Sequence, residues 1–156
     1  MRSKKNTLKI LLDTTFILPT LGIDVGEEVE KCIERLGKTK AELYYSRFSI
    51  LESLWIAARL IRDKSFDMER FRQGLRSVTR SGKYIVIEED DRVFEEALKL
   101  YGLGHRDMMD NILYASSAVL GLKLLSVDTE LKEFIQSKGL EDTIISPSQI
   151  IHETKK

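Results

Sequence analysis

Five short, almost continuous apolar runs recur along the 156-residue chain: Leu8 to Leu12, Glu42 to Ser46, Lys83 to Ile87, Lys123 to Val127 and Asp142 to Ile145. Runs of this length that lack a polar face read as strands covered on both sides. Between them the apolar residues take helical spacing, as in Val29, Ile33 and Leu36, in Leu51, Leu54, Trp55, Ala58 and Ile61, and in Phe71, Leu75 and Val78. Strands that alternate with helices pair in parallel, because a parallel pair needs a crossover long enough to bring the chain back to the same edge. Gly82, Gly121 and Gly139 each precede a strand, where a glycine closes a helix before the chain re-enters the sheet. Ser146-Pro147-Ser148-Gln149 reads as an N-cap, a proline in the first helical position and a glutamine able to complete a capping box. The expected fold is α/β, a three-layer sandwich around a central parallel sheet of about five strands, with residues 1–156 forming a single domain.

Composition narrows the function. Lys plus Arg and Asp plus Glu both number 25, so no overall field holds the chain on nucleic acid or lipid, and such a partner must be held by local charge. The single cysteine, Cys32, excludes an internal disulfide, and two histidines cannot by themselves furnish a structural zinc site. The longest uncharged run, Asn111 to Leu122, falls well short of the ~20 apolar residues that span a bilayer. Met1-Arg-Ser-Lys-Lys leads into a strand without a signal-peptide core. A reducing, cytoplasmic setting with no membrane partner is expected.

Ligands of open parallel sheets bind outside the carboxyl ends of the strands, which directs attention to Asp13 after the first run and Asp128 after the fourth. Two carboxylates at one rim repel and lose solvation, so they call for water or a cation between them. Glu52 and Ser53 are the only polar residues between Ile50 and Arg59, so Glu52 is expected in a helix buried on nearly every side. Asp107 and Asp110 open another apolar helix, with Asp110 one turn before Leu113. Helix capping is an alternative account of Asp13, Asp107, Asp110 and Asp128, each of which stands at or near a helix start; it does not account for Glu52. Together these acids form the all-oxygen set that Mg²⁺ or Mn²⁺ prefers. Such an ion can bind a phosphate oxygen and acidify water, the apparatus of phosphodiester hydrolysis.

These residues resemble the PIN-domain family of metal-dependent ribonucleases, which includes the VapC-type toxins of toxin–antitoxin pairs. Ile10-Leu-Leu-Asp13-Thr-Thr15 is similar to the family's first motif, a strand ending in Asp with Ser, Thr or Asn two positions on. Ser46-Arg-Phe-Ser-Ile-Leu-Glu52 resembles the second, Asp110-Asn-Ile-Leu-Tyr-Ala the third, and Leu124-Leu-Ser126-Val-Asp128 the fourth. The four motifs, in order, span residues 8 to 145. The resemblance implies Asp13, Glu52, Asp110 and Asp128 as catalytic acids and ligands of one or two Mg²⁺ or Mn²⁺ ions, with Asp107 as a fifth metal-binding acid. It implies Thr15 and Ser126 as supporting groups that orient a carboxylate or a water. The activity it implies is endoribonuclease, water attacking phosphorus in line to leave a 5′-phosphate and a 3′-hydroxyl. RNA, an antitoxin protein and a second copy of the chain are the implied partners, with the apolar residues between Ser65 and Arg80 as dimer contacts. Thr14-Thr15 and Tyr114 depart from the commonest family choices without removing an acid. The chain also exceeds a minimal toxin domain, in Met1 to Thr7 and Ser65 to Arg80.

Arg72, Arg76 and Arg80 form a basic stripe with Lys83, which reads either as an RNA contact or as a solvated face balanced by Asp67 and Glu69. Arg2, Lys4 and Lys5 make a second basic group, and Arg47 and Arg106 flank Glu52 and Asp107. A haloacid-dehalogenase-like phosphatase needs a second Asp where this chain has Thr15, and a receiver domain needs paired acids at the first strand. Neither G-x-G-x-x-G nor G-x-x-x-x-G-K-[ST] occurs, against a nucleotide-binding fold. A non-catalytic PIN-like module that binds RNA or protein is the remaining alternative.

Overall fold

The computed structural model describes residues 7–154, with side chains to Ile150, so the basic group at Arg2, Lys4 and Lys5 lies outside the described residues. Five strands run β1 (Lys9–Leu12), β2 (Glu42–Tyr45), β3 (Tyr84–Val86), β4 (Lys123–Leu125) and β5 (Ile144–Ile145). All pair in parallel, in the order β3-β2-β1-β4-β5. Each strand lies within its apolar run and is shorter than it; β5 keeps only two residues of the run that starts at Asp142. There the Asp142 carboxylate accepts from the Ile144 N–H at 3.1 Å, closing a local turn in place of the ladder.

Helices α1 (Glu27–Gly37), α2 (Arg47–Arg62), α3 (Met68–Arg80) and α7 (Pro147–Thr154) contribute to the layer on one face of the sheet. The layer on the other face draws on α4 (Asp91–Leu103), α5 (Met108–Leu120) and α6 (Thr129–Ser137). Alternation along β1 shows why both layers are needed: Ile10 and Leu12 join the first core cluster while Leu11 joins the second. On β4, Leu124 and Leu125 divide in the same way. The three-layer α/β sandwich expected from the sequence is the architecture observed.

The local signals act as the residues dictate. Gly121 closes α5 in the left-handed region (φ 71°), releasing the chain into β4. Gln149 Oε1 accepts from the Ser146 N–H at 2.8 Å, the backward half of a capping box at α7. Gly74 on α3 is required by close approach: a Cβ there would stand 2.2 Å from the Thr20 carbonyl oxygen.

Two expectations need correction. α2 is not buried on nearly every side. Its inward face is Ser49, Ser53 and Ala57, while Trp55 is 67% exposed and Leu51 50% exposed. Small residues let α2 lie close to the turn after β1 and leave its large apolar side chains facing out. α3 is also less open than expected for a dimer contact, because Phe71 and Val78 are buried and Leu75 packs on the core, which leaves Met68, 52% exposed, as its exposed large apolar side chain. Amphipathic spacing alone cannot say whether an apolar stripe faces its own core or a partner.

Candidate functional site

The strand order reverses its direction of growth at β1, whose neighbours are β2 on one side and β4 on the other. A crevice opens where crossovers leave in opposite directions, at the carboxyl ends of β1 and β4. Asp13 directly follows β1, and Asp128 directly precedes α6, three residues after the end of β4. Asp13 N–H donates to Leu125 O at 3.1 Å, so the ladder runs into the site and fixes the backbone that carries the carboxylate.

Ser126 Oγ donates to Asp13 Oδ2 at 3.1 Å, and the Asp128 N–H donates back to Ser126 Oγ at 3.0 Å. Asp13 begins the short 3-10 turn Thr14–Phe16 but makes no side-chain cap bond, so capping does not account for it. Burial raises its carboxyl from 3.8 to about 6, against lowering by the hydrogen bonds from Ser126 and the Thr14 backbone. Glu52 and Asp128 add repulsion, which places Glu52 in the electrostatic field of Asp13.

Asp110 is the most displaced acid. Burial, with the charge of Asp107, a hydrogen bond to Asp128 and the charges of Asp13 and Asp128, pushes its carboxyl up to about 8. Every one of these causes favours the protonated form of Asp110 over its carboxylate. Asp107 is exposed and its Oδ1 accepts from the Asp110 N–H at 3.1 Å, the N-cap bond of α5. Asp128 Oδ1 likewise caps α6 through the Leu131 N–H at 3.1 Å. Capping is thus real at Asp107 and Asp128, while Asp13 and Asp110 are held at the crevice without such a bond.

Glu52, on the second turn of α2, is half-buried, as is Thr15. No hydrogen bond from Thr15 to an acid occurs among the described contacts. Ser46 caps α2 by accepting from the Phe48 N–H at 3.1 Å, and its hydroxyl donates to Glu89 Oε1 at 3.4 Å. Glu89 is an acid the sequence reading did not place at the site. Burial raises its carboxyl, against lowering by Ser46 and Arg47. Its position just past the third strand was the available signal. Asn111 was also missed: fully buried, its side-chain amide donates to His105 O and its Oδ1 meets His105 Nδ1, both at 2.7 Å. This double tie holds the loop leading to Asp107.

No described ion pair involves Asp13, Glu52, Asp107, Asp110 or Asp128. Among the described residues no set of three His, Cys, Asp or Glu side chains already stands in metal-holding geometry. The donor chemistry nonetheless fits a hard dication: the ligating atoms are all oxygen, and the raised carboxyls of Asp13 and Asp110 mark a cluster short of positive charge. In the basic stripe on α3, Arg72 is paired with Glu69 at 2.6 Å. No described helix is long and apolar enough to cross a membrane.

Residues 10–135 match the family model described as PIN domain. No curated protein matches the chain. Among solved structures, a toxin-antitoxin complex from Klebsiella pneumoniae superposes with a TM-score of 0.60 at 15% identity, covering 88% of this chain and 97% of that one. PAE2754 from Pyrobaculum aerophilum gives 0.62 at 14% identity, with 95% and 90% covered. A DNA-bound VapBC from Salmonella typhimurium gives 0.55 at 16% identity, with 90% and 99% covered.

Proposed function

The chain belongs to the PIN domain family, and from that premise we propose that it is a Mg²⁺- or Mn²⁺-dependent endoribonuclease. The observation that carries this reading is the meeting of Asp13, Asp110 and Asp128 at the β1/β4 crevice, with Asp110 raised to about 8. Asp13, Glu52, Asp110 and Asp128 would hold the ion, Asp107 standing beside them. Bound there, it supplies Lewis-acid stabilisation of a phosphate and a more acidic water.

The chain's own residues do the rest. Ser126 holds one oxygen of Asp13 and the backbone of Asp128, so the two carboxylates keep their relative position as charge in the crevice changes. Asp110 is the group that gives up a proton when the crevice gains positive charge. Thr15 is the other supporting group of this reading, two positions after Asp13, although it makes no described hydrogen bond to that carboxylate. RNA is the substrate of this reading, a cytoplasmic chain of one domain its setting, and the similar toxin-antitoxin complexes support an antitoxin partner.

The second copy is assigned to α2 and α4. Phe94, Leu98 and Tyr101 are exposed on α4, as Leu51, Leu54 and Trp55 are on α2. Phe48 and Phe94 join the two helices edge to face at 6.0 Å between centroids. An apolar surface of this extent is ordinarily covered.

The deciding experiment is cleavage of end-labelled single-stranded RNA in Mn²⁺ by the wild type and Asp110→Asn, with a chelator blank. Chelator-sensitive cutting that the folded variant lacks is expected. Equal cutting by both proteins refutes the assignment, and no cutting by either favours the non-catalytic module.

A further inference from the structure

A cavity of about 300 Å³ opens beside the acids, sharing Ser126 and Asp128 with the crevice. It lies where the ends of β4 and β5 meet the starts of α6 and α7, and α1 contributes Glu28 from the other side. Its size is at the lower end of small-ligand sites, roughly 300–1,000 Å³, and suits one small polar ligand with an apolar face.

The walls determine which part of a nucleic acid enters. Val127, 41% exposed, gives the apolar surface on which a flat base can lie; Pro147 also lines the cavity but is buried. Glu28 offers a carboxylate to ribose hydroxyls or base N–H groups, whereas the Ser146 hydroxyl already meets Ser148 Oγ at 2.9 Å and donates to Gln149 Oε1 at 3.3 Å. Among the described residues Lys132 is the one cation of the lining, and it is already engaged: its Nζ donates to Ile144 O at 2.9 Å and pairs with Asp142 at 3.3 Å. With that charge offset and Glu28 adding a negative one, the cavity repels phosphate. A neutral base and ribose meet no such penalty.

We propose that this cavity seats the nucleoside adjoining the phosphodiester cut at the acids. The inference rests on the RNA-cleaving reading of those acids, because Asp128 belongs to both sites. A strand whose phosphate lies at the acids has this cavity as a depression directly beside it, so the nucleoside seated there selects the position of the cut.

The test titrates the full, metal-free chain with adenosine, guanosine, cytidine and uridine, and separately with inorganic phosphate, following amide and methyl resonances by NMR. At least one nucleoside is expected to shift Val127, Thr129 and Ile144, and phosphate is expected to leave them unmoved. No nucleoside shifts at these residues, or shifts from phosphate alone, overturn the proposal. Val127→Trp narrows the mouth of the cavity and Glu28→Ala removes the acceptor, both at exposed positions that keep the fold. In RNA cleavage, Val127→Trp is expected to raise KM about tenfold and both variants to redistribute the cut positions. Unchanged KM and cut positions in both overturn the proposal. If the wild type cuts no RNA while nucleosides still shift Val127, Thr129 and Ile144, the endoribonuclease reading fails and the nucleoside site stands.

Discussion

Ser126 Oγ donates a 3.1 Å hydrogen bond to Asp13 Oδ2, joining residues 113 positions apart in sequence. The pairing of β1 with β4 makes this contact available, because it sets Leu12 beside Leu125 and so brings the following residues to one rim. One hydroxyl then serves two acids, since it also accepts from the Asp128 N–H.

Ser126→Ala removes the bond that lowers the Asp13 carboxyl, so that group should rise above its present value of about 6. The expected cost is about 1–3 kcal/mol of stability, typical of a lost hydrogen bond to a charged group. In cleavage, the acid limb of the pH profile should move to higher pH, with Ser126→Thr restoring it. A pH profile identical to wild type would show that the bond does not govern Asp13.

The alternation of apolar runs and helical spacing made the sheet and its layers legible, as did the acids at the strand ends. Asp13 and Asp128 follow from the rule for parallel sheets, since strand ends are local features of sequence. Three things were not legible. Glu89 meets Ser46 only because β3 pairs with β2, a long-range event. Asn111 reads as one more helix residue until its amide is seen tied to the His105 loop. The exposure of Trp55 contradicts the buried helix that its apolar neighbours imply, because a sequence gives a helix's pattern and not which side meets the sheet.

Protonation should stabilise the metal-free fold. The folded values for Asp13 and Asp110, about 6 and about 8, both exceed 3.8, so the folded chain binds these protons more tightly than the unfolded chain. Their contribution is complete below 3.8 and is lost as pH rises through about 6 and then about 8. In chelator, thermal unfolding of the wild type should therefore lose ground to Asp110→Asn between about pH 4 and about pH 8. Mg²⁺ or Mn²⁺ should remove that disadvantage by replacing the proton as counter-charge. Parallel melting curves for the two proteins across this range would contradict the assignment of the raised carboxyl to Asp110.

Asp107 serves α5 as its N-cap and stands in the crevice as a charge, and two substitutions separate these roles. Asn keeps a capping oxygen and removes the charge, whereas Ala removes both. Asp107→Ala should lose about 0.5–2 kcal/mol in urea unfolding, and Asp107→Asn much less. If Asp107 helps to hold the ion, Mn²⁺ affinity should fall in both. Retention of full affinity in Asp107→Asn would leave it a cap only.

Gly74 allows α3 to press on the turn that carries the chain away from the site. A Cβ would stand 2.2 Å from Thr20 O and 2.7 Å from Leu21 Cα, both backbone atoms that cannot rotate away. Arg70 fixes the same turn by donating to Thr20 O at 3.0 Å. Alanine would gain about 1 kcal/mol in helix propensity, but displacing that backbone should outweigh it. Gly74→Ala is expected to destabilise by about 1–3 kcal/mol in denaturant titration. A neutral or stabilising result would mean that the turn yields freely.

Trp55 is 67% exposed and Leu98 65% exposed, on the two helices assigned to the second copy. The inward face of α2 is small and partly polar, so its largest apolar area is left outside its own core. A charge among apolar residues is tolerated in water and heavily penalised when a partner excludes it. Trp55→Glu should therefore leave the monomer fold intact by circular dichroism, while sedimentation changes from dimer to monomer at micromolar concentration. Dissociation without loss of secondary structure separates an interface from a folding role. A wild type that sediments as a monomer, or a variant that remains a dimer, rules out this surface as the contact between copies.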